Sequence, residues 1–324
     1  MLHHGADQAS GLAVSIINYR TGAMTCRAVA SVLEALGQRD ARVVVVDNGS
    51  GDGSADEIAD WIAKCGDARV RLVRSHTNSG FSGGHNQGMA AAPGAEFYLI
   101  LNSDALLRPD FFDAILPVAE ANPRAGLFAP RLEWEDGEAQ VSLFRFASPA
   151  SELIRGAGSG PVTKLLGRHV VALGLDPDPE AIEWASFACI LLRGRMVREL
   201  GPMDEGYFLY FEDAEYALRA RRAGWGVVAA PAARAVHFRG GSGPVKKMQA
   251  ARARLPEYYW RSRARFLAQA HGPLGPALGN LAWAAGRVLT QGRRLTGRGV
   301  APPHESEWRD IWTGMARPLA ERAR

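Results

Sequence analysis

The feature that most constrains the fold of this chain is an alternation of strand and helix signals across its first 130 residues. Residues 12–19 (LAVSIINY), 42–46 (RVVVV), 70–73, 97–101 (FYLIL) and 126–129 read as buried strands. Between them, residues 23–36, 54–64, 84–92 and 110–121 have helical character, the last ending at Asn122-Pro123. Strands that are apolar on both faces need helices over both faces, so the pattern predicts an α/β fold with a mostly parallel sheet. Residues 134–178 are less regular and rich in Gly and Pro, and read as a flap or insertion. Strands are predicted again at 186–192 (SFACILL) and 226–230, with a helix at 214–223. From Met248 the chain is predicted to be helical, with breaks at Gly272-Pro273 and Gly275-Pro276.

Composition narrows the class. With 47% hydrophobic and 22% charged residues in 324, wholesale disorder is excluded. No run of about 18 apolar residues is present to form a spanning helix. The net charge of +4 hides a split. Residues 245–324 hold 15 Lys+Arg against 5 Asp+Glu, whereas residues 1–244 hold 23 against 29. A basic tail on an acidic body suits an anionic surface, either lipid or nucleic acid, or else solvated helix faces. Cys26, Cys65 and Cys189 form no CxxC and no even set, which fits a reducing compartment. The start, MLHHGADQASG, has no signal-peptide pattern. A cytoplasmic location is expected, with residues 1–11 lacking structure.

In an open α/β sheet, ligands bind beyond the carboxyl ends of the strands. Four polar stretches are candidates. Asp47-Asn48-Gly49-Ser50-Gly51-Asp52-Gly53-Ser54 directly follows a strand. Its Asp47 and Asn48 suit a nucleobase or ribose, and Ser54 reads as a helix N-cap. Residues 78–88 (NSGFSGGHNQG) read either as an anion cradle before a helix N-terminus or as a plain helix start with His85 at the surface. Asn102-Ser103-Asp104 ends the apolar strand at 97–101, and reads as a turn or as a site where Asp104 binds a divalent cation bridging phosphates. In Phe208-Leu209-Tyr210-Phe211-Glu212-Asp213-Ala214-Glu215, adjacent acids abut an aromatic run. Acids suit a helix N-terminus, but desolvation and mutual repulsion would also raise one pKa, as a general base requires. His237 closes a short apolar stretch before Arg239-Gly240-Gly241-Ser242.

Taken in order, SIINYRT, VVVVDNGSGDGS, NSGFSGGHNQG, LILNSD, MDEGYFLYFEDAEYALRARRAGW and VHFRGGS resemble the family 2 glycosyltransferases of GT-A fold. They are most similar to the rhamnosyltransferase-like branch that builds bacterial cell-surface polysaccharides. The resemblance covers residues 12–266. It implies a GT-A catalytic domain at 12–244, with a nucleotide-binding half at 12–130 and an acceptor half at 131–244, followed by a helical basic region at 245–324. Transferred position by position, it implies that Asn18, Tyr19, Asp47 and Asn48 hold the base and ribose. Asn78, Gly80, Gly83 and Asn86 would lie beside nucleotide and sugar. Asn102, Ser103 and Asp104 match the DxD-type element, with Asp104 and His237 as ligands of Mg²⁺ or Mn²⁺. Asp213, in the Glu212-Asp213 pair, matches the catalytic base, and Arg263 in YYWRSR would reach a phosphate.

Three positions depart from the family pattern. Asn102 stands where a DxD has its first Asp, Ser103 where this branch often has Pro, and Phe187 where relatives commonly have Gly, which would crowd the acceptor. The implied reaction is an inverting transfer from a nucleoside-diphosphate sugar to a hydroxyl of a glycan or polyprenyl-diphosphate-linked glycan. A dTDP-rhamnose-like donor is first choice and a UDP-sugar second. The basic tail, with Trp260, Phe266, Leu274, Leu278, Leu281, Trp283, Val288 and Leu289 interleaved, is then expected on the inner membrane leaflet, and nucleic acid drops out as a partner. The rivals are an inactive relative acting as an assembly partner and a sugar nucleotidyltransferase. The latter needs a Gly- and Lys/Arg-rich loop where Asn18-Tyr19-Arg20-Thr21-Gly22 stands.

Overall fold

The computed structural model describes residues 11–238, 245–294 and 302–320. The stretch expected to lack structure falls almost wholly outside them, as does Arg239–Ser242. In chain order the elements are β1 (Leu12–Asn18), α1 (Gly22–Leu36), β2 (Ala41–Asn48), α2 (Ser54–Cys65), β3 (Val70–Ser75), α3 (Gly80–Ala90), β4 (Phe97–Asn102) and β5 (Ala105–Leu107). Then come α4 (Phe111–Ala121), β6 (Ala125–Glu133), β7 (Leu143–Phe144), α5 (Pro149–Ala157), α6 (Gly160–Leu165), β8 (Trp184–Ala185), β9 (Cys189–Arg193) and α7 (Gly194–Leu200). The last are α8 (Glu212–Arg222), β10 (Gly226–His237), α9 (Val245–Ala250), α10 (Glu257–His271), α11 (Gly275–Arg294) and α12 (Glu307–Asp310).

Two compact units form. The first comprises residues up to Gln140, Ser186–Met203 and Ala223–Phe238. Among the described residues its sheet has eight strands in the order β3-β2-β1-β4-β9-β6-β10-β5. β3, β2, β1 and β4 are mutually parallel, while β9 runs antiparallel to β4 and β6. Register aligns the polar strand ends: Asn18 faces Asp47, Ile17 faces Asn102, and Asn48 faces Ser75. The strands are apolar on both faces because both are covered. Val14, Ile16, Val43, Val45, Leu99 and Leu101 pack with Val29, Val32 and Leu36 of α1, Ile58 of α2 and Phe111, Phe112 and Ile115 of α4.

Two elements exceed their predicted bounds. β10 continues past Ala230 to His237, taking a register shift between Ala230 and Arg234 that accommodates Pro231. α3 starts at Gly80 rather than Gly84, because the Asn78 side-chain oxygen accepts from the Gly80 amide and supplies the turn. Its glycines serve close packing. A Cβ on Gly84 would meet Ile17 Cδ1 at 2.7 Å, and one on Gly88 would meet Ser15 Oγ at 2.1 Å.

The second unit comprises residues 141–185, 204–222 and those beyond 238. The boundary expected at residue 244 is therefore crossed, because α11 packs on α5. Their seam is lined by glycine: a Cβ on Gly156 would meet the Trp283 carbonyl oxygen at 2.1 Å. Trp260, Trp283, Leu255, Val245 and Ile311 form one core, and Tyr207, Ala214 and Phe266 another. Of the residues expected on the membrane-facing tail, Trp260, Phe266 and Trp283 are thus interior. The break at Gly272-Pro273 ends α10, whereas Gly275-Pro276 opens α11.

Candidate active site

The first unit gathers its polar groups at the carboxyl edge of β1, β2 and β4. Asn18 is fully buried there. Its amide donates to Asp47 Oδ1 (2.7 Å), Ser50 Oγ (3.1 Å) and Ser54 Oγ (2.8 Å). Its carbonyl accepts from Thr21 N and from the Thr21 and Thr25 hydroxyls. Asn48 likewise donates to Asn78 Oδ1 and Gly80 O, and accepts from Ser79 N and Oγ. The Asn86 amide pairs in both directions with the Met203 backbone, at 2.9 Å each. Three residues expected beside the nucleotide thus also tie together the loops at this edge. Asp47, buried, accepts from Asn18, Ser50 Oγ and Ser50 N. Tyr19 is exposed, with the Arg20 guanidinium 5.2 Å from its ring centroid and tied to Ser50 O.

Two expectations are corrected here. Ser54 is not the helix cap: Gly53, left-handed at φ 87°, stands at that position, and the Ser54 hydroxyl serves Asn18. His85 is not at the surface but fully buried, with Nδ1 2.9 Å from Ser15 Oγ of β1. Burial lowers its pKa to about 3, so the imidazole is neutral. Neither Ser15 nor Thr21 was singled out by sequence, although a Thr three residues after a strand-end Asn is a readable turn signal.

Beyond β4 the chain turns through Ser103, whose hydroxyl accepts from Thr21 Oγ1. Asn102 is half-buried, and its backbone N–H donates to Ala188 O. β5 then pairs antiparallel with the end of β10, so that His237 lies opposite Ala105, and Phe238 N donates to Asp104 O at 2.9 Å. This pairing brings His237 Nε2 to 3.6 Å from Asp104 Oδ1, with the side chains 10% and 1% exposed. The His237 carbonyl is pinned by Gln140, and its Nδ1 has no hydrogen-bond partner among the described residues. One carboxylate and one imidazole are two donors suited to a divalent cation. No group of three His, Cys, Asp or Glu is arranged for a metal among the described residues. Asp104 and His237 could hold a divalent cation only with further ligands from outside these residues. Gly80 and Gly83 lie on α3, and Asn78 is half-buried ahead of it. Phe187 is buried.

In the second unit, Tyr210 and Phe211 are both left-handed, at φ 71° and 69°, immediately before α8. Non-glycine residues there carry strain that surrounding packing must hold. They lead into Glu212, buried, and Asp213, half-buried, whose Oδ1 accepts from Ala214 N. Burial, then the charge of Asp213, raises the Glu212 carboxyl well above the usual carboxylate range. Arg263 does not present itself to a phosphate. It is buried, bonded to Glu152 and to Asn280 Oδ1, because α10 turns it inward against α5 and α11.

The mixed sheet flanked by helices has the GT-A fold, which solved glycosyltransferase structures share. The mannosyltransferase PcManGT of Pyrobaculum calidifontis, in complex with GDP-Man and Mn²⁺, superposes at TM-score 0.56, with 16% identity over 96% of this chain and 85% of that one. S. aureus TarS in complex with UDP gives 0.52, with 13% identity over 89% and 92%. The model of Glycosyl transferase family 2 matches residues 13–163. Over 243 residues the chain is 29% identical to N-acetylglucosaminyl-diphospho-decaprenol L-rhamnosyltransferase of Mycobacterium tuberculosis, covering 70% of this chain and 76% of that protein. It is 24% identical to the low-salt glycan biosynthesis hexosyltransferase Agl10 of Haloferax volcanii, over 56% of this chain and 54% of that one. These matches support a glycosyltransferase whose residues 13–163 carry a family 2 domain, and a rhamnosyltransferase-like family fits it.

Proposed function

We propose that this enzyme transfers a sugar, with inversion, from a nucleoside-diphosphate donor to a hydroxyl of a glycan or polyprenyl-diphosphate-linked glycan acceptor in cell-surface polysaccharide assembly. The observation that carries the reading is the Asp104–His237 pair, 3.6 Å apart just past a central strand of a nucleotide-binding type of sheet. These two residues would hold Mg²⁺ or Mn²⁺, which neutralises charge on the departing diphosphate. Tyr19 and Asp47 hold base and ribose. Asp213 takes the proton of the acceptor hydroxyl, whose oxygen attacks the anomeric carbon opposite the leaving group. Burial and then the neighbouring charge favour the protonated form of Glu212.

A dTDP-rhamnose-like donor is favoured over a UDP-sugar by the similarity to the mycobacterial rhamnosyltransferase, whose name also supports a lipid-linked acceptor. No described helix is long and apolar enough to cross a membrane. In this reading the enzyme works at the inner face of the cell membrane, held there by its basic C-terminal region.

The test incubates the full chain with dTDP-rhamnose or UDP-sugars, Mg²⁺ or Mn²⁺, and an N-acetylglucosaminyl-diphosphoryl polyprenol, reading product by mass spectrometry. Transfer from one donor is expected, stopped by EDTA. Asp213→Asn should slow it by at least about 10²-fold, while the nucleotide still raises the melting midpoint. Near-normal turnover in Asp213→Asn would remove Asp213 as the base, and full activity in EDTA would remove the metal.

A further inference from the structure

α11 has two unlike faces. Gly275, Gly279, Asn280, Trp283, Gly286 and Thr290 are buried against α5, α10 and the segment at Ile311. On the opposite side Leu274, Leu278, Leu281, Ala285, Val288 and Leu289 are exposed, the five larger ones by 49% to 71%. Within α11, steps of three and four residues put Leu278, Leu281, Ala285, Val288 and Leu289 on one stripe about 16 Å long, with Leu274 in the turn just before the helix. A stripe of this size standing in water marks a contact surface.

Charge says what covers it. α11 contains no Asp or Glu, and its three charged residues are Arg287, Arg293 and Arg294, all in its second half. Three nearby acids are neutralised within the unit, since Glu257 pairs with Arg261, Glu307 with Arg155 and Asp310 with Arg254, while Glu305 is exposed. The segment that bonds to Asn280 also exposes Trp308 and Trp312, a side-chain type that suits the headgroup region. Another copy of the chain is a poor occupant. Five aliphatic side chains cover well under the roughly 1,200 Å² that stable protein interfaces bury. A lipid surface has no such threshold, since each inserted aliphatic group adds to binding and the arginines add attraction to anionic headgroups.

We propose that Leu274 and the α11 stripe at Leu278, Leu281, Val288 and Leu289 lie in the interface of an anionic bilayer, with the helix parallel to the membrane plane. The inference deepens the lipid-linked acceptor reading and rests on it only for its purpose. Vesicle sedimentation with the full chain tests it, using phosphatidylcholine alone or mixed with phosphatidylglycerol. The wild-type chain should bind the mixed vesicles well above the neutral ones. Leu278→Gln/Leu281→Gln/Val288→Gln should weaken that binding by at least about tenfold. Because those side chains already face solvent, the variant should keep its melting midpoint and its nucleotide-induced shift, which reports the donor site independently of lipid. Equal binding by variant and wild type, or no preference for the anionic vesicles, would overturn the proposal. So would a dimer in light scattering that the triple variant dissolves, since the stripe would then be a self-association face.

Discussion

Asn18 shows how little the type and position of a strand-end residue say about its partners. The pattern of a polar residue closing an apolar strand located the edge correctly. It could not separate a side chain that faces a ligand from one that locks a loop, because the deciding partners, Asp47, Ser50 and Ser54, lie 29, 32 and 36 residues away. Asp104 and His237 were legible as ligand types, and their approach depended on β5 reversing to pair with β10. His85 was the clearest miss, since nothing local in NSGFSGGHNQG shows that Ser15 of another strand receives it. Its burial has a measurable sign. Between pH 6.5 and about 3 the unfolded chain takes up a proton that the native imidazole does not. Native stability therefore falls as pH drops through that window, by up to about 1.4 kcal/mol per pH unit. His85→Asn should cost about 1 kcal/mol at pH 7 through the altered Ser15 contact. The gap between variant and wild type should close below about pH 6 and reverse by about pH 4.5 in denaturant titrations. A gap constant with pH would mean that the native imidazole takes up its proton at the same pH as the unfolded chain.

At the scale of elements, periodicity found nearly every helix and strand of the first unit, because apolar runs on a covered sheet leave little ambiguity. Ends were less legible. β10 outlasts Pro231 by taking a register shift, and α3 begins on glycines that propensity alone would reject but that close approach to β1 demands. α8 opens on a conflict: two left-handed aromatic residues force the chain into a turn that starts the helix with adjacent acids, one of them buried. A carboxyl whose folded pKa is raised binds its proton in the native state after the unfolded chain has lost it. Stability from Glu212 is thus full below about pH 4.5 and is lost as pH rises toward the raised value. Glu212→Gln keeps the shape and removes the titration. Its melting midpoint should exceed that of the wild type at pH 8 and match it near pH 4. A variant equally destabilised at both values would show that the carboxylate itself is needed, as an ionised group.

For the molecule as a whole, the charge split that suggested an anionic partner has a structural side as well. Part of the basic excess lies inside the second unit, where Arg254, Arg263 and Arg265 meet Asp310, Glu152 and Asp204. Burial would raise the Glu152 carboxyl, but Arg155 and Arg263 hold it down at about 2. The sequence could show the surplus of arginine but not this division, since Glu152 and Asp204 lie outside the basic tail. Each unit also has its own core, which separates their failure modes. A Cβ on Gly286 would meet the Leu153 carbonyl oxygen at 2.4 Å and Ala157 N at 2.6 Å, backbone atoms that cannot swing aside. Gly286→Ala must therefore push α11 off α5, at about 1–3 kcal/mol. The melting midpoint should drop by several degrees. Nucleotide binding, assigned to the strand ends of the first unit, should keep its affinity in calorimetry at a temperature where the variant remains folded. Affinity lost in step with the midpoint would instead make the second unit a contributor to the nucleotide site.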